Sequence, residues 1–372
     1  MKIGIVSPEF PPEKGGVQTY AFEYARELAR RGHEVTVFTQ PHPEGESHAD
    51  AFKIEPVLKI RRRLDRGILR AKMDVWHAMN ASYSWLALET PRVFVTVHGN
   101  DFLWPYHPVA RLDFRERLRL PFGSNADRRL GEWLTWFTVK RALPRAAHVF
   151  ANSLFTEQCL IARHPGCRGK TSAAMVGISD ESFSPPRPPR REGPPRIATV
   201  CRLAEPHKNV DLVLHALAKL RDSPPFHYTI VGDGWLRPSY EELTRELGLA
   251  GRVTFTGFLE RPALHETLLG SDVFVLTTSA TPVAYEGFGL VYLDANACGT
   301  PTIAARFGGA AEAVREGVSG VFVDEVSAEG IAKTLSRFLT GALRFDPAAC
   351  IEFARGFSWA KVADHCLAHY SR

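Results

Sequence analysis

The sequence predicts an α/β fold of two doubly wound parallel-sheet domains, and three observations support this. Its 372 residues exceed the roughly 100 to 200 residues of one ordinary domain. Short apolar runs rich in Val, Ile and Phe alternate with helix-period segments, an order typical of parallel sheets covered by helices on both faces. One proline-rich, charged stretch interrupts the alternation and divides the chain in two.

The predicted strands form two series. Before the interruption they are KIGIV, EVTVFT, DVWHA, RVFVTVHG and AHVFANS. After it they are RIATVCRL, HYTIVGDG, RVTFTGF, DVFVLTTS, TPTIAA and GVFVD. Helix-period segments such as VQTYAFEYARELARRG and NVDLVLHALAKLRD separate them, and Gly, Asp or Asn at their ends indicates caps. Each series therefore predicts its own sheet.

The interrupting segment, SDESFSPPRPPRREGPPR, has no hydrophobic period. Proline lacks a backbone donor and fixes its own φ, so this segment predicts a stiff spacer that cannot join a sheet. We therefore predict a first domain at residues 1–180, a linker at 181–195 and a second domain at 196–354. The tail, residues 355–372, predicts one or two amphipathic helices.

Composition excludes disordered, fibrous and membrane-spanning classes. Apolar residues are 45% and charged residues 23%, as in soluble globular proteins, and no apolar run approaches the ~18 residues of a spanning helix.

The net charge of +5 is unevenly distributed along the chain, because residues 1–170 carry 26 of the 46 basic but only 18 of the 41 acidic residues. Basic and aromatic residues alternate at 111–141, which suits an anionic membrane surface, an anionic acceptor or a solvated helix face.

The six cysteines show no C-x-x-C pair or zinc spacing, so they predict reduced thiols of a cytoplasmic protein. The chain begins at once with a strand-like run and lacks the apolar core of a signal peptide. We expect a cytoplasmic location, with peripheral contact at the inner face of the membrane as an added possibility. No nucleic-acid partner is expected.

Ligands of open parallel sheets bind beyond the carboxyl ends of the strands. In the first domain Gly15 and Gly16 precede a helix and either admit a phosphate to its N–H groups or form a plain turn. His98 can donate to a sugar hydroxyl or be structural, and Asp101 is an orienting partner or an Asx-turn residue. Asp101, Trp104 and Tyr106 are the acceptor candidates, and several aromatic side chains either stack on the acceptor or fill the core: Trp76, Tyr83, Trp85, Trp104 and Tyr106.

In the second domain Arg202 follows the first strand and Lys208 begins the next helix. Two such cations can clamp a diphosphate and stabilise its charge as it leaves, or they are solvated surface residues. The chain contains no D-x-D pair, so no metal cofactor is predicted. The turn Gly232-Asp233-Gly234 either shapes a nucleotide pocket or is merely structural.

The segment YEGFGLVYLD places Glu286 in a glycine-bearing loop and Asp294 about one turn into a helix predicted from Leu290 to Cys298. Two carboxylates in these places can hydrogen-bond two parts of one ligand. A polyhydroxylated ligand with a sugar at one end and a ribose at the other fits them.

This segment resembles the carboxylate signature of glycosyltransferase family 4, usually two glutamates with F-G-L between them and A-x-A-x-G-x-P after them. Six further motifs of the family occur along the chain in the family's order. They are the Gly-Gly turn, the His-Gly-x-Asp strand end, the R-L-x-x-x-K-like segment, the G-D-G turn, the V-x-F-x-G strand and the G-G-x-x-E turn. The resemblance covers nearly the whole chain. It implies the GT-B fold, in which two Rossmann-like domains face each other across a cleft and the last helix rejoins the first domain.

The resemblance also implies roles. His98 would sit beside the transferred sugar, Arg202 and Lys208 would hold the diphosphate, and Glu286 would touch sugar hydroxyls. Asp294 stands where the family has a glutamate on the ribose, so its shorter side chain predicts a closer helix or a weakened or water-bridged contact. The donor-binding residues implied besides these are Gly15, Gly16, Gly232, Asp233, Gly287, Phe288, Gly289 and Leu290.

The function implied is a retaining, metal-independent glycosyltransferase. It would move a hexosyl unit from a UDP- or GDP-sugar to a hydroxyl of a glycan, glycolipid or small-molecule acceptor. The departing diphosphate oxygen would take the acceptor proton. The nucleotide-sugar is a substrate, and no cofactor is expected. Two alternatives stay open: a sugar-nucleotide epimerase or phosphorylase of the same fold, and a two-domain nucleotide-sugar-binding protein without catalysis.

Overall fold

The structure, a computed structural model, describes residues 1–13, 15–42, 50–59, 62–103, 124–185, 193–221, 225–281 and 284–371. The chain divides into two compact units. The first unit comprises residues 1–177 together with 358–372, and the second comprises residues 178–357.

The first unit holds a sheet of parallel strands. Its strands are β1 (Lys2–Val6), β2 (Glu34–Thr39), β3 (Lys53–Pro56), β4 (Val75–Ala78), β5 (Val93–Val97), β6 (His148–Ala151) and β7 (Thr171–Ala173). Their order in the sheet is β3-β2-β1-β4-β5-β6-β7. Every residue of β4 and β5 is buried, as expected for central strands covered on both faces.

Helices and 3-10 turns connect these strands. The α-helices are α1 (Gly16–Arg30), α2 (Arg62–Asp65), α3 (Ser124–Ala142), α4 (Leu154–Arg163) and, at the end of the chain, α12 (Trp359–Tyr370). Helix α1 buries Tyr20, Tyr24 and Leu28, which recur every four residues along one face. It ends where Gly32 adopts a φ of 82° and donates its N–H to the carbonyl of Ala29 over 2.9 Å.

The second unit repeats the architecture with a smaller sheet. Its strands are β8 (Arg196–Val200), β9 (His227–Val231), β10 (Val253–Gly257), β11 (Val273–Leu276), β12 (Thr302–Ala304) and β13 (Gly320–Phe322). They pair in parallel in the order β10-β9-β8-β11-β12-β13. Its α-helices are α5 (Val210–Lys219), α6 (Arg237–Glu246), α7 (Arg261–Gly270), α8 (Leu290–Ala297), α9 (Ala310–Ala313), α10 (Ala328–Leu339) and α11 (Pro347–Arg355).

The fold class predicted from the sequence, two doubly wound parallel-sheet domains, is confirmed. All eleven predicted strand runs contain a strand. The prediction missed β3 and β7, which lie at the two edges of the first sheet. Both are short, at four and three residues, and neither is fully buried, so neither produces the apolar run by which a central strand is recognised.

The chain crosses back to the first unit at its end. Helix α12 packs on α1. The hydroxyls of Tyr24 and Tyr370 are 2.8 Å apart, and Arg92 donates to the carbonyl of Tyr370 over 2.6 Å. The boundary lies between residues 357 and 358 rather than at the predicted 355, and the N–H of Ile178 donates to the carbonyl of Phe357 within the second unit.

The described start of the predicted linker packs on the second unit. Arg261 of α7 donates to the hydroxyl of Ser182 over 2.9 Å. The hydroxyl of Ser184 pairs with Nε2 of His265 at 2.9 Å. The most proline-rich part of the predicted linker, residues 186–192, lies outside the described residues.

All six cysteines are free thiols. Over the part of the chain that the structure describes, no helix combines the length and apolarity that crossing a bilayer requires.

Candidate functional site

A cluster of charged side chains lies at the carboxyl edge of the second sheet. Lys208 ends a 3-10 turn (Pro206–Lys208) that follows β8, and Glu286 lies in the loop that precedes α8. Nζ of Lys208 donates to Oε2 of Glu286 over 2.7 Å, and the side chains of both residues are nearly buried, at 13% and 11% exposed. The fold therefore brings together two predicted site residues that are 78 positions apart.

Burial disfavours the charged form of Lys208, but the carboxylates of Glu286 and Glu205 outweigh it and raise the pKa of the amine. Lys208 therefore stays protonated at any physiological pH. An ammonium held in this way can bind a phosphate oxygen once a ligand arrives.

Glu205, which the sequence analysis did not select, links Arg202 to this cluster by charge. Oε1 of Glu205 is 3.9 Å from Nη1 of Arg202, and its Oε2 is 3.5 Å from Nζ of Lys208. The side chain of His207 also approaches Glu205, with Nε2 at 3.9 Å from Oε2. The signal available in the sequence was a carboxylate placed between two proposed phosphate-binding cations.

The turn at Gly232 and Gly234 supports the segment that carries Arg202. A Cβ on Gly232, whose φ is 129°, would lie 1.9 Å from the carbonyl oxygen of Cys201. A Cβ on Gly234 would lie 2.3 Å from the backbone of Leu203. Leu203 also donates its N–H to the carbonyl of Asp233 over 2.9 Å. The two glycines therefore let two backbone segments pack in direct contact.

The carboxylate of Asp233, a predicted donor-binding residue, is engaged close to its own turn. Oδ1 accepts the N–H of Gly234 over 2.7 Å, and Oδ2 accepts from Nη1 of Arg237 over 3.1 Å. This geometry assigns the side chain to the turn and to the start of α6.

The loop from Glu286 to Leu290 presents backbone at the start of α8. Gly289 precedes the helix with a φ of 87°, and a Cβ there would lie 2.4 Å from the ring of Tyr292. Phe288 is 2% exposed, so its side chain belongs to the core. The first N–H groups of an α-helix have no partner within the helix, and the positive end of its dipole favours an anion.

The backbone of Gly308 and Gly309 packs directly against the loop that carries Glu286. The N–H of Gly309 donates to the carbonyl of Glu286 over 2.9 Å, and a Cβ on Gly309 would lie 2.2 Å from the carbonyl oxygen of Gly287. The close backbone approach explains the glycine pair of the G-G-x-x-E turn.

Asp294 lies in the middle of α8, which spans Leu290–Ala297 and thus ends one residue before the predicted Cys298. Burial raises the pKa of its carboxyl to about 6, while the charges of Arg261 and His265 on α7 act in the opposite direction. The carboxyl therefore lies within the electrostatic reach of α7.

In the first unit His98 follows β5 with one ring nitrogen available. No described residue pairs with Nε2, which is buried, and the ring packs edge-on against Tyr20 at a centroid distance of 4.8 Å. Burial lowers the pKa of His98 to about 4, so the imidazole is neutral near pH 7. A neutral ring can donate to or accept from a sugar hydroxyl.

Asp101 holds the turn that carries His98. Its Oδ1 accepts the N–H of His98 over 2.9 Å, and its Oδ2 accepts the N–H of Ala81 over 2.8 Å. Burial raises the pKa of this carboxyl to about 6, against the opposing effect of these backbone donors. All of these contacts are to backbone N–H groups, so the carboxylate stabilises the turn and does not hydrogen-bond the imidazole ring of His98.

The start of α1 is open. A Cβ on Gly16 would meet no atom within 4 Å, and the first turn carries no acidic residue. Gly15 accepts from both the N–H and the hydroxyl of Thr19, at 3.1 and 3.0 Å. Space and helix geometry thus permit the anion predicted here.

The aromatic candidates separate into two groups. Trp76, Tyr83 and Trp85 are at most 3% exposed and belong to the core of the first unit, so core packing was the correct reading for them. Trp104 and Tyr106 lie outside the described residues. Among the residues that are described, no group of three His, Cys, Asp or Glu side chains is arranged to hold a metal ion.

Comparison with known proteins covers almost the whole chain. Residues 14–181 match the family model described as Glycosyltransferase Family 4, and residues 180–356 match the one described as Glycosyl transferases group 1. A D-inositol 3-phosphate glycosyltransferase of Mycolicibacterium smegmatis is 30% identical, over 97% of this chain and 87% of that protein.

Two further proteins are similar. A GDP-mannose-dependent alpha-(1-6)-phosphatidylinositol monomannoside mannosyltransferase of the same organism is 28% identical, over 91% of this chain and 90% of that protein. Anabaena HepE, solved in complex with UDP-glucose, shares the fold with a TM-score of 0.71 at 18% identity, over 100% of this chain and 99% of that chain.

Proposed function

The chain belongs to glycosyltransferase family 4 and is a glycosyltransferase, and from that premise we propose a retaining, metal-independent hexosyltransferase that uses a UDP- or GDP-sugar. The observation that carries the proposal is the pairing of Lys208 with Glu286 at the carboxyl edge of the second sheet. A cation for the diphosphate and a carboxylate for the sugar lie side by side there. Arg202 approaches the same cluster, and α8 begins beside it.

The proposed chemistry depends on stabilising a leaving group. As the bond between the sugar and the nucleoside diphosphate breaks, negative charge grows on the phosphate oxygen. Arg202, Lys208 and the N–H groups at the start of α8 stabilise that charge. The same phosphate oxygen takes the proton of the attacking acceptor hydroxyl, so the sugar gains its new bond on the face from which the diphosphate leaves.

Glu286 is assigned to positioning the sugar through its hydroxyls, and Asp294 to the ribose. In the first unit His98 is assigned to a sugar hydroxyl, which its unpaired Nε2 supports. Gly16 is assigned to a phosphate at the open start of α1. The cations of the second unit take the place that a divalent metal has in other phosphate sites.

For the donor we propose GDP-mannose as the first compound to test, because one relative is named as GDP-mannose-dependent. For the acceptor we propose a hydroxyl of a glycan, a glycolipid or a small phosphorylated polyol. The names of both relatives contain an inositol phosphate or phosphatidylinositol, and the basic excess of residues 1–170 suits an anionic acceptor.

The test begins with binding. Thermal unfolding of the purified chain is followed with GDP, UDP, ADP and their sugar conjugates, with and without a chelator. A nucleotide at about 100 times its dissociation constant adds roughly 2.7 kcal/mol, which moves the melting temperature by several degrees. The proposal requires a shift with UDP or GDP that the chelator does not remove, followed by transfer to an acceptor with retained anomeric configuration. Absence of any shift would count against it.

We also propose peripheral binding to anionic membranes from the cytoplasmic side. Helix α3 exposes Trp133, Leu134 and Phe137, at 58%, 49% and 42%. Lys140 lies 5.4 Å from the ring of Trp136, and Arg141 lies 5.6 Å from that of Phe137. Aromatic and cationic side chains on the outer face of one helix suit the interface of an anionic bilayer.

Flotation with vesicles tests this surface. Wild-type protein should float with phosphatidylglycerol-containing vesicles at low salt and not with pure phosphatidylcholine vesicles. Replacing both Trp133 and Phe137 by serine should abolish flotation, and the same change at the exposed Leu154 of α4 should not. Equal flotation of all three proteins would contradict the proposed surface.

A further inference from the structure

Glu205 places a carboxylate among three basic side chains in the loop after β8. Its oxygens lie 3.9 Å from Arg202, 3.5 Å from Lys208 and 3.9 Å from His207. The distances to Arg202 and Lys208 are those of ion pairs rather than of short hydrogen bonds. The side chain is 32% exposed, so solvent also reaches it. Charge, rather than a fixed hydrogen-bond geometry, therefore relates Glu205 to its neighbours.

The cluster is electrically balanced without a ligand. The positive charges of Arg202 and Lys208 face the negative charges of Glu205 and Glu286. Burial and the neighbouring Lys208 lower the pKa of His207, so its ring is neutral near pH 7 and adds no charge. A diphosphate must therefore compete with two carboxylates for two cations.

The two carboxylates differ in what the diphosphate would change. Glu286 makes a short hydrogen bond to Lys208 and is assigned above to the sugar, so it gains a new partner when Lys208 turns to phosphate. Glu205 is assigned no ligand contact. Its charge remains beside the diphosphate and opposes it.

We propose that Glu205 is a positioning residue that holds Arg202 and Lys208 in the empty site and competes with the diphosphate for them. In this role it limits the affinity for the nucleoside diphosphate product and speeds its departure after transfer. The proposal rests on the function proposed above, because it needs a diphosphate at Arg202 and Lys208. It adds a residue whose removal tightens binding rather than weakening it.

The test compares the full-length wild type with Glu205→Gln by titration calorimetry with GDP and with UDP. Glutamine keeps the size of the side chain and removes its charge. Affinity for the bound nucleotide should rise about fivefold to tenfold at low salt, and the gain should shrink as salt rises, because the competing interaction is electrostatic. Glu329→Gln is the matched control, since Glu329 also pairs with a lysine, Lys219 at 3.0 Å, and has no assigned role.

Kinetics add a second measurement. If product release limits turnover, kcat of Glu205→Gln falls together with KM, whereas a merely structural loss would raise KM. Glu205→Asp withdraws the charge by one methylene and should give an intermediate gain in affinity. It also provides the measurement if the glutamine variant does not fold.

The outcomes separate the two proposals. Wild-type protein that binds neither nucleotide contradicts the proposed function itself. Wild-type protein that binds, with unchanged or weaker binding by Glu205→Gln and Glu205→Asp, overturns the role of Glu205 and leaves the function standing.

Discussion

At the scale of single residues, the site depends on polar groups whose ionisation is set by their surroundings. Burial keeps His98 neutral, and neighbouring carboxylates keep Lys208 protonated. Asp101 acts through backbone amides and needs no ligand to be engaged. Residue type and position selected these side chains from the sequence, and their surroundings in the fold determine whether each one is charged.

Replacing His98 by alanine tests the unpaired Nε2. The variant should lose about tenfold in kcat/KM, because one hydrogen bond to a sugar hydroxyl contributes about 1.4 kcal/mol. Since the pKa of His98 is about 4, its titration should leave the wild-type rate unchanged between pH 6 and 8. Steady-state kinetics measure both. His227→Ala, at an exposed strand end, is the control and should keep full activity.

Asp294 predicts a pH dependence of nucleotide binding. Burial raises the pKa of its carboxyl to about 6 in the folded protein, above the usual value of an aspartate, so ionisation opposes folding as pH rises towards 6. The ribose contact proposed for Asp294 is assigned to the ionised carboxylate, which accepts hydrogen bonds through both oxygens. Calorimetric affinity should therefore fall as pH drops below about 6. Asp294→Asn should bind more weakly at pH 8 and lose this pH step, and it should unfold at a higher denaturant concentration than the wild type at pH 8, because no buried charge has to form. An unchanged pH step in the variant would point to another group.

At the scale of elements, turns and helix ends place the site residues. The glycine turn after β9 allows the backbone that carries Arg202 to pack against it, and the glycine pair before α9 does the same for the loop that carries Glu286. The chain's last helix, α12, completes the first unit around His77, whose Nδ1 bonds the hydroxyl of Tyr370 and whose Nε2 lies 2.7 Å from Oγ1 of Thr96.

We expect the substitution Gly232→Ala, in the turn after β9, to lower the stability of the protein strongly. Its Cβ would overlap the carbonyl of Cys201, and its φ of 129° is unfavourable for alanine. We expect a loss of roughly 2 to 4 kcal/mol in the free energy of unfolding, with weaker nucleotide binding because the Arg202 segment must move. Gly251→Ala meets no atom within 4 Å and should change neither, as chemical denaturation and calorimetry can establish.

We expect the substitution Tyr370→Phe in helix α12 to lower the free energy of unfolding. The change removes the shared hydroxyl from Tyr24 and His77, both fully buried. Leaving a buried imidazole nitrogen unpaired costs about 1 to 3 kcal/mol. Urea denaturation should show that loss. Stability equal to wild type would mean that water or another group replaces the hydroxyl.

At the scale of the whole molecule, one of the two units is formed by two separate stretches of the chain. The second unit is continuous, from 178 to 357, whereas the first is completed only by residues 358–372. Each unit has its own buried core. Truncation at the C-terminus should therefore damage the first unit rather than the second, although the removed residues follow the second along the chain.

A chain ending at Phe357 tests this. Hydrogen exchange should show lost protection in β4, β5 and β6, which lie in the first unit, and retained protection in β8 and β11. Nucleotide-dependent protection around Lys208 should persist. A chain ending at Tyr370 is the control and should match the full-length protein. Equal loss in both sheets would contradict the assignment of α12.

The sequence by itself determined the alternation of strands and helices, the division into two sheets, and the glycines and charges at the strand ends. These are local features, since hydrophobic period, turn residues and motif spacing depend on neighbours within a few positions. The same motifs carried the resemblance to the family. Strands β3 and β7 were not predicted, because a short and partly exposed edge strand has no clear run or alternation of apolar residues.

Only the tertiary structure decided which distant groups meet. Lys208 and Glu286 are 78 positions apart, and Tyr24 and Tyr370 are 346 apart. Their contacts follow from the order of strands in each sheet and from the return of α12, which no local pattern encodes. The ionisation of Lys208 and the charge of Glu205 beside it arise from the same long-range packing, because burial and neighbouring charges exist only once the chain has folded.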